Sequence, residues 1–113
     1  MKYIIAVIQP DRLDEVLNNL TEKEIHLVTV TTVAGRGRQK GIAEVYRSHK
    51  EQGSLLRKVK LEIAVNEDFV EKAIDCITSG ARTGQIGDGK IFVLDLPECV
   101  RIRTGERGGE AIG

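Results

Sequence analysis

Ile4 to Ile8 forms an unbroken apolar run of strand length, closed by Gln9, Pro10 and Asp11. Pro10 stands where a helix can begin, and Asp11 and Asp14 suit the positive end of its dipole. Leu13, Val16, Leu17 and Leu20 recur at i, i+3, i+4 and i+7, which predicts an amphipathic helix. Leu27 to Val33 is rich in β-branched residues and predicts a second strand. From Gly35 to about Ser54 no period holds. A loop of about 20 residues in so short a chain marks either function or a misassigned element. Leu55 to Val65 then alternates, with Val59, Leu61, Ile63 and Val65 on one face and Lys58, Lys60, Glu62 and Ala64 on the other. That pattern predicts a strand with one core side and one wet or ligand-facing side.

Asn66 is a suitable N-cap, with Glu67 and Asp68 in the first turn that follows. Phe69, Val70, Ala73, Ile74 and Ile77 form the apolar stripe of a second helix, and Gly80 is placed to cap its C-terminus. Gly84 to Lys90 predicts a glycine-rich turn, Ile91 to Leu94 a fourth strand, and Val100 to Arg103 a short extended piece. The last ten residues predict a loose tail. The order β-α-β-loop-β-α-β is the split βαβ, ferredoxin-like pattern of an α+β domain covering residues 1–113. Helices cover only one face of such a sheet, so self-association is the economical way to cover the other.

The chain has 113 residues, and 17 Lys plus Arg balance 17 Asp plus Glu. A neutral balance gives no support to a general nucleic-acid coat, and the few aromatics disfavour a base-stacking platform. No apolar run reaches the roughly 18 residues of a membrane span. The N-terminal run is short, and Gln9, Pro10 and Asp11 stand where a signal peptide would carry small residues. Cys76 and Cys99 are far apart, as expected of reduced thiols in a cytoplasmic protein.

Three segments favour anions. Gly84 to Lys90 matches G-x-x-x-x-G-K, but Ile91 replaces the Ser/Thr that would hold Mg²⁺, and the segment runs from helix to strand, the reverse of a P-loop. What survives is a set of glycines whose backbone N–H groups can converge on an anion, with Lys90 adding charge. Spacing alone leaves a phosphate cradle and a plain tight turn equally open. Gly35-Arg36-Gly37-Arg38-Gln39-Lys40-Gly41 misses G-x-G-x-x-G by one residue and leads into no helix, so it reads as a cationic hinge or a solvated loop rather than a dinucleotide site. Arg101 and Arg103 fall on one side of an extended segment, where paired guanidiniums can grip phosphate oxygens or simply face solvent. Together the three segments point to a polyphosphate ligand. There is no Ser-His-Asp or Cys-His arrangement, His26 and His49 lack partners at metal spacing, and Glu22 and Glu24 read as a solvated helix end.

Gly35 to Gly41, Glu44 to Arg47, Lys58 to Ile63, Thr83 to Val93 and Arg101 to Glu106 together resemble the PII nitrogen signal-transduction proteins, in register over almost the whole chain. The resemblance implies a compact homotrimer with nucleotide sites in the clefts between subunits. It makes Gly87, Asp88, Gly89 and Lys90 the phosphate cradle, with Arg101 and Arg103 reaching in from the neighbour. It sets Val7, Thr29, Gly35, Glu62 and Ala64 around adenine and ribose, Gly37 in the nucleotide site, and Arg38 at the phosphates. Gln39 would complete the shell of an ATP-bound Mg²⁺. With Lys40, Gly41, Lys58 and Gly87 it would also receive 2-oxoglutarate, Lys58 pairing with a carboxylate. ADP would favour a different state of the mobile loop, residues 37–55.

Partners implied by the resemblance are an ammonium channel, glutamine synthetase or nitrogen regulators, contacted through Tyr46 and Arg47. Contact with a membrane would come only through a channel partner. Enteric-type members carry a modified tyrosine five residues beyond Tyr46; here that position is Glu51, which excludes uridylylation there. The competing readings are a diverged nucleotide-only sensor or structural module, and a weak nucleotide hydrolase. No residue stands out as a general base for the latter.

Overall fold

A computed structural model describes residues 1–37 and 55–113. Its elements are β1 (Lys2–Ile8), α1 (Leu13–Glu22), β2 (Thr29–Gly35), β3 (Leu56–Val65), α2 (Val70–Ala81), β4 (Gly89–Asp95) and α3 (Gly109–Ile112). A 3-10 turn precedes each of the first two helices, Pro10–Arg12 and Glu67–Phe69. The strands form one sheet in the order β2-β3-β1-β4, every neighbouring pair antiparallel. This is the expected α+β, ferredoxin-like architecture.

The alternation read in β3 is the alternation of burial. Val59, Leu61, Ile63 and Val65 are buried together with Ile4, Ala6 and Ile8 of β1. Val16 and Leu20 of α1 and Val70, Ala73 and Ile77 of α2 close the core from one side, with Leu13, Leu17, Phe69 and Ile74 packed at its margin. The opposite sheet face is bare among the described residues. Cross-strand pairing aligns Tyr3 with Ala64 and Leu94, Ile5 with Glu62 and Phe92, and Val7 with Lys60 and Lys90 on that face. Phe92 and Leu94 are each about half exposed there.

Several expectations are corrected. The second strand runs Thr29–Gly35 rather than Leu27–Val33, because register with Leu56–Glu62 of β3, not local β-propensity, sets its bounds. Gly80 is not a C-cap; it lies inside α2, where a Cβ would meet Val16 Cγ2 at 2.9 Å and the Val16 backbone N and Cα at 3.0 Å. It is the crossing point of the two helices. Asn19 stitches them further, donating to Cys76 O at 3.1 Å while the Cys76 thiol donates to Asn19 O at 3.3 Å. Asn66 occupies the cap position by backbone, but its side chain donates to Gly109 O at 3.2 Å instead of capping.

Val100 to Arg103 is not an extended piece. Cys99 O accepts from Gly108 N at 2.9 Å, Val100 bridges to Arg107, and Arg101 N donates to Glu106 O at 2.9 Å, so the chain doubles back through a turn at Ile102–Thr104. The tail is not loose either. Its last residues form α3, with Ala111 buried.

Candidate functional site

The Gly84–Lys90 turn carries three residues in the left-handed region: Gly84 (φ 89°), Gly87 (φ 105°) and Gly89 (φ 112°). At Gly89 the requirement is absolute, since a Cβ would sit 1.8 Å from Val7 O. The turn is tied from within by Asp88. Its carboxylate accepts from Thr83 N at 2.8 Å, from Thr83 Oγ1 at 2.5 Å and from Gly84 N at 2.9 Å. The Thr83 hydroxyl and amide, then the Gly84 amide, hold the Asp88 carboxyl below the usual carboxylate range.

From outside, two side chains converge on Gly87 O: Gln9 Nε2 at 2.9 Å and Lys58 Nζ at 3.1 Å. Lys58 is 7% exposed, the one charged residue among the described residues that is buried. Burial draws its ammonium below the ordinary lysine range, with the Asp88 carboxylate pulling the other way. Among the described residues its hydrogen-bond partner is Gly87 O, and an ammonium carries three donors, so the group can take a further acceptor.

An open groove of about 810 Å³ lies beside this turn. Of the residues singled out by sequence, Val7, Gly35, Gly37, Lys58, Gly87, Gly89 and Lys90 line it. Asp88 does not line it; it faces a separate hollow of about 260 Å³ on the helix side. Arg36, Ile86 and Phe92 also line the groove. Phe92 could have been found from strand alternation with Lys90, and Arg36 from its place in the cationic hinge; Ile86 carries no sequence signal.

Thr29, Glu62 and Ala64 are not brought to the groove. They lie toward the far end of the same sheet face, Thr29 directly opposite Glu62, and Ala64 is six steps along β3 from Lys58, about 20 Å of strand. Glu62 accepts from the Tyr3 hydroxyl at 2.5 Å and lies 3.6 Å from Lys60 Nζ. The Tyr3 bond, then Lys60, lower the Glu62 carboxyl, and the same bond raises the Tyr3 phenol. Sequence patterning gave no sign of Tyr3 or Gln9 at a site.

Arg101 and Arg103 stand apart from both groups. Arg101 Nη1 pairs with Glu106 Oε1 at 2.6 Å, and its Nη2 donates to the α3 carbonyls of Glu110 at 3.2 Å and Ala111 at 3.4 Å. Arg103 lies exposed in the turn, so the two do not share a side as alternation predicted. Arg38, Gln39, Lys40, Gly41, Tyr46 and Arg47 lie outside the described residues. The described residues contain no His, Cys, Asp and Glu cluster able to hold a metal ion, and no helix long and apolar enough to cross a membrane. Cys76 and Cys99 are free thiols, and burial pushes the Cys76 thiol up.

Comparison with known proteins identifies the family. The family model "Nitrogen regulatory protein P-II" matches residues 1–106. The chain is 50% identical over 114 residues to "Nitrogen regulatory protein GlnK1" of Methanosarcina mazei, covering 99% of this chain and 97% of that one. It is 53% identical over 112 residues to "Nitrogen regulatory protein P-II" of Bradyrhizobium diazoefficiens, with 99% and 100% covered. The "Nitrogen regulatory protein P-II" of Rhodospirillum rubrum is 51% identical over the same 99% and 100%. With likeness of this extent from end to end, the chain belongs to the nitrogen regulatory protein P-II family.

Proposed function

We propose that this protein is a non-enzymatic, cytoplasmic sensor of nitrogen, carbon and energy status. It binds ATP or ADP, and 2-oxoglutarate with Mg-ATP, and acts on partner proteins through the segment between β2 and β3. The observation that carries the reading is the groove beside the Gly87–Gly89 turn, where the cations Arg36, Lys58 and Lys90 gather around a turn whose glycines take positive φ. A triphosphate next to a dicarboxylate is a dense set of like charges that needs several cations and a metal to coexist. Mg²⁺ would ride mainly on the phosphates, and Gln39 is this chain's own candidate for its shell.

The working unit is a homotrimer. The bare sheet face with Phe92 and Leu94 half exposed supports self-association. So does the separation of the groove from Thr29, Glu62 and Ala64, because a nucleotide held between copies can draw phosphate contacts from one and nucleoside contacts from another. The partners are an ammonium channel, glutamine synthetase or a nitrogen regulator. Calorimetric titration with ATP and with ADP tests the reading. Both nucleotides bind without turnover, and Lys90→Ala weakens them about tenfold, the loss expected for one charge-assisted contact. Absence of nucleotide binding by the intact protein would refute it.

A further inference from the structure

Tyr3 and Glu62 meet across β1 and β3 on the bare face of the sheet. Tyr3 pairs with Ala64 and Glu62 with Ile5, so the two side chains are diagonal neighbours, and the phenol reaches Glu62 Oε2 at 2.5 Å. Lys60 Nζ stands 3.6 Å from the other oxygen, Oε1. Thr29 lies directly opposite Glu62 on β2. The bond closes no turn and caps no helix. What it does is chemical: a phenol that donates to a carboxylate keeps it ionised, fixes its rotamer, and leaves lone pairs able to accept from a third group.

We propose that Tyr3 is a positioning residue that sets nucleoside specificity, by holding Glu62 as an aimed acceptor for an N–H or O–H donor of the nucleoside. The donor is the exocyclic amine of the base or the ribose 2′-hydroxyl. The inference rests on the reading of Glu62 as a nucleoside contact, and adds the residue that orients it. An acceptor fixed in this way discriminates by what it cannot pair with. A ligand lacking the donor leaves the carboxylate desolvated and unsatisfied, whereas a free carboxyl could rotate or take up a proton.

The test is equilibrium binding of ATP, inosine triphosphate, 2′-deoxy-ATP and inorganic triphosphate to the full chain, to Tyr3→Phe and to Glu62→Gln. Wild type prefers ATP over one analogue by about tenfold, the value of one hydrogen bond to a charged acceptor. Loss against inosine triphosphate names the amine; loss against 2′-deoxy-ATP names the hydroxyl. Tyr3→Phe keeps the ring, shrinks that preference at least about threefold, and leaves inorganic triphosphate within about twofold. Tyr3→Leu, with a different shape, gives the same loss of preference, which separates the hydroxyl from packing. An unchanged preference in Tyr3→Phe alongside a lost one in Glu62→Gln would overturn the role of Tyr3 alone. Equal binding of all three nucleotides by wild type, or no ATP binding, would overturn the reading of Glu62 beneath it.

Discussion

Lys58 Nζ donates to Gly87 O at 3.1 Å, joining the buried end of β3 to the glycine turn before β4. The contact ties two sequence-distant parts of the groove to each other. It also leaves a nearly desolvated ammonium at the groove wall, which makes Lys58 the residue where ligand binding and protein stability can be told apart.

Lys58→Met separates them. Gly87 O keeps its bond from Gln9 at 2.9 Å, so no acceptor is orphaned, and a buried charge is replaced by an apolar side chain of similar length. Stability stays within about 1 kcal/mol of wild type or rises. Binding of 2-oxoglutarate is lost. Denaturant melts beside ligand titrations check both parts; a large loss of stability would show that the ammonium is structural.

Asp88→Ala opens the turn from within, because three donors from Thr83 and Gly84 lose their acceptor. Nucleotide affinity falls roughly tenfold while the core, of which Asp88 is not a member, melts nearly as before. The pH dependence has a defined sign. The folded-state carboxyl lies below its ordinary value, so its contribution is present above about pH 3.8 and is lost as pH falls through the lowered pKa. Hydrogen exchange at the Thr83 and Gly84 amides across that range is the direct check.

Tyr3 has the opposite behaviour. Its phenol is raised by the bond to Glu62, so that contribution is complete below the ordinary tyrosine value of 10.0 and declines as pH rises through the raised pKa. Ultraviolet titration of wild type against Tyr3→Phe isolates this phenol from Tyr46. A Tyr3 that ionises at or below the ordinary value would contradict the bond.

Gly80→Ala tests the helix crossing. Alanine favours a helix interior by about 1 kcal/mol over glycine, but the added Cβ would meet backbone atoms of Val16, and overpacking of this kind costs about 1–3 kcal/mol. The net result is a lower melting temperature, and Gly80→Val falls further. An unchanged melting temperature for both would place the helices farther apart than described.

Arg101→Ala should free the C-terminus. The side chain holds Glu106 and two carbonyls of α3, which has little of its own to bury beyond Ala111. Limited proteolysis then cuts within residues 104–113 much faster than in wild type, with the core melt little changed.

These contacts also show what could be read in advance. The alternation from Val59 to Val65 and the stripes at Leu13–Leu20 and Phe69–Ile77 expose the fold because burial follows local period. Gly80 reads as a cap in sequence because a glycine near a helix end looks like one, whereas its reason lies on the other helix, at Val16. The α3 helix was missed because its four residues are ordered by Arg101 and Asn66 rather than by their own propensity. The glycine turn and Lys90 were legible as anion-friendly, whereas the roles of Gln9 and Tyr3 depend on register across strands. Alternation puts Lys58 on the wet or ligand-facing side of β3, but nothing in it says that a neighbouring turn folds over the residue and buries it.

The proposed function turns on this groove coupling a nucleotide to a dicarboxylate. The most direct test is calorimetric titration of 2-oxoglutarate into the purified protein, once saturated with Mg-ATP and once with Mg-ADP. The expected result is binding with Mg-ATP, little or none with Mg-ADP, and none with Mg-ATP in Lys58→Ala. No 2-oxoglutarate binding in either nucleotide state, with both nucleotides still bound, would contradict it and leave a sensor of nucleotide alone.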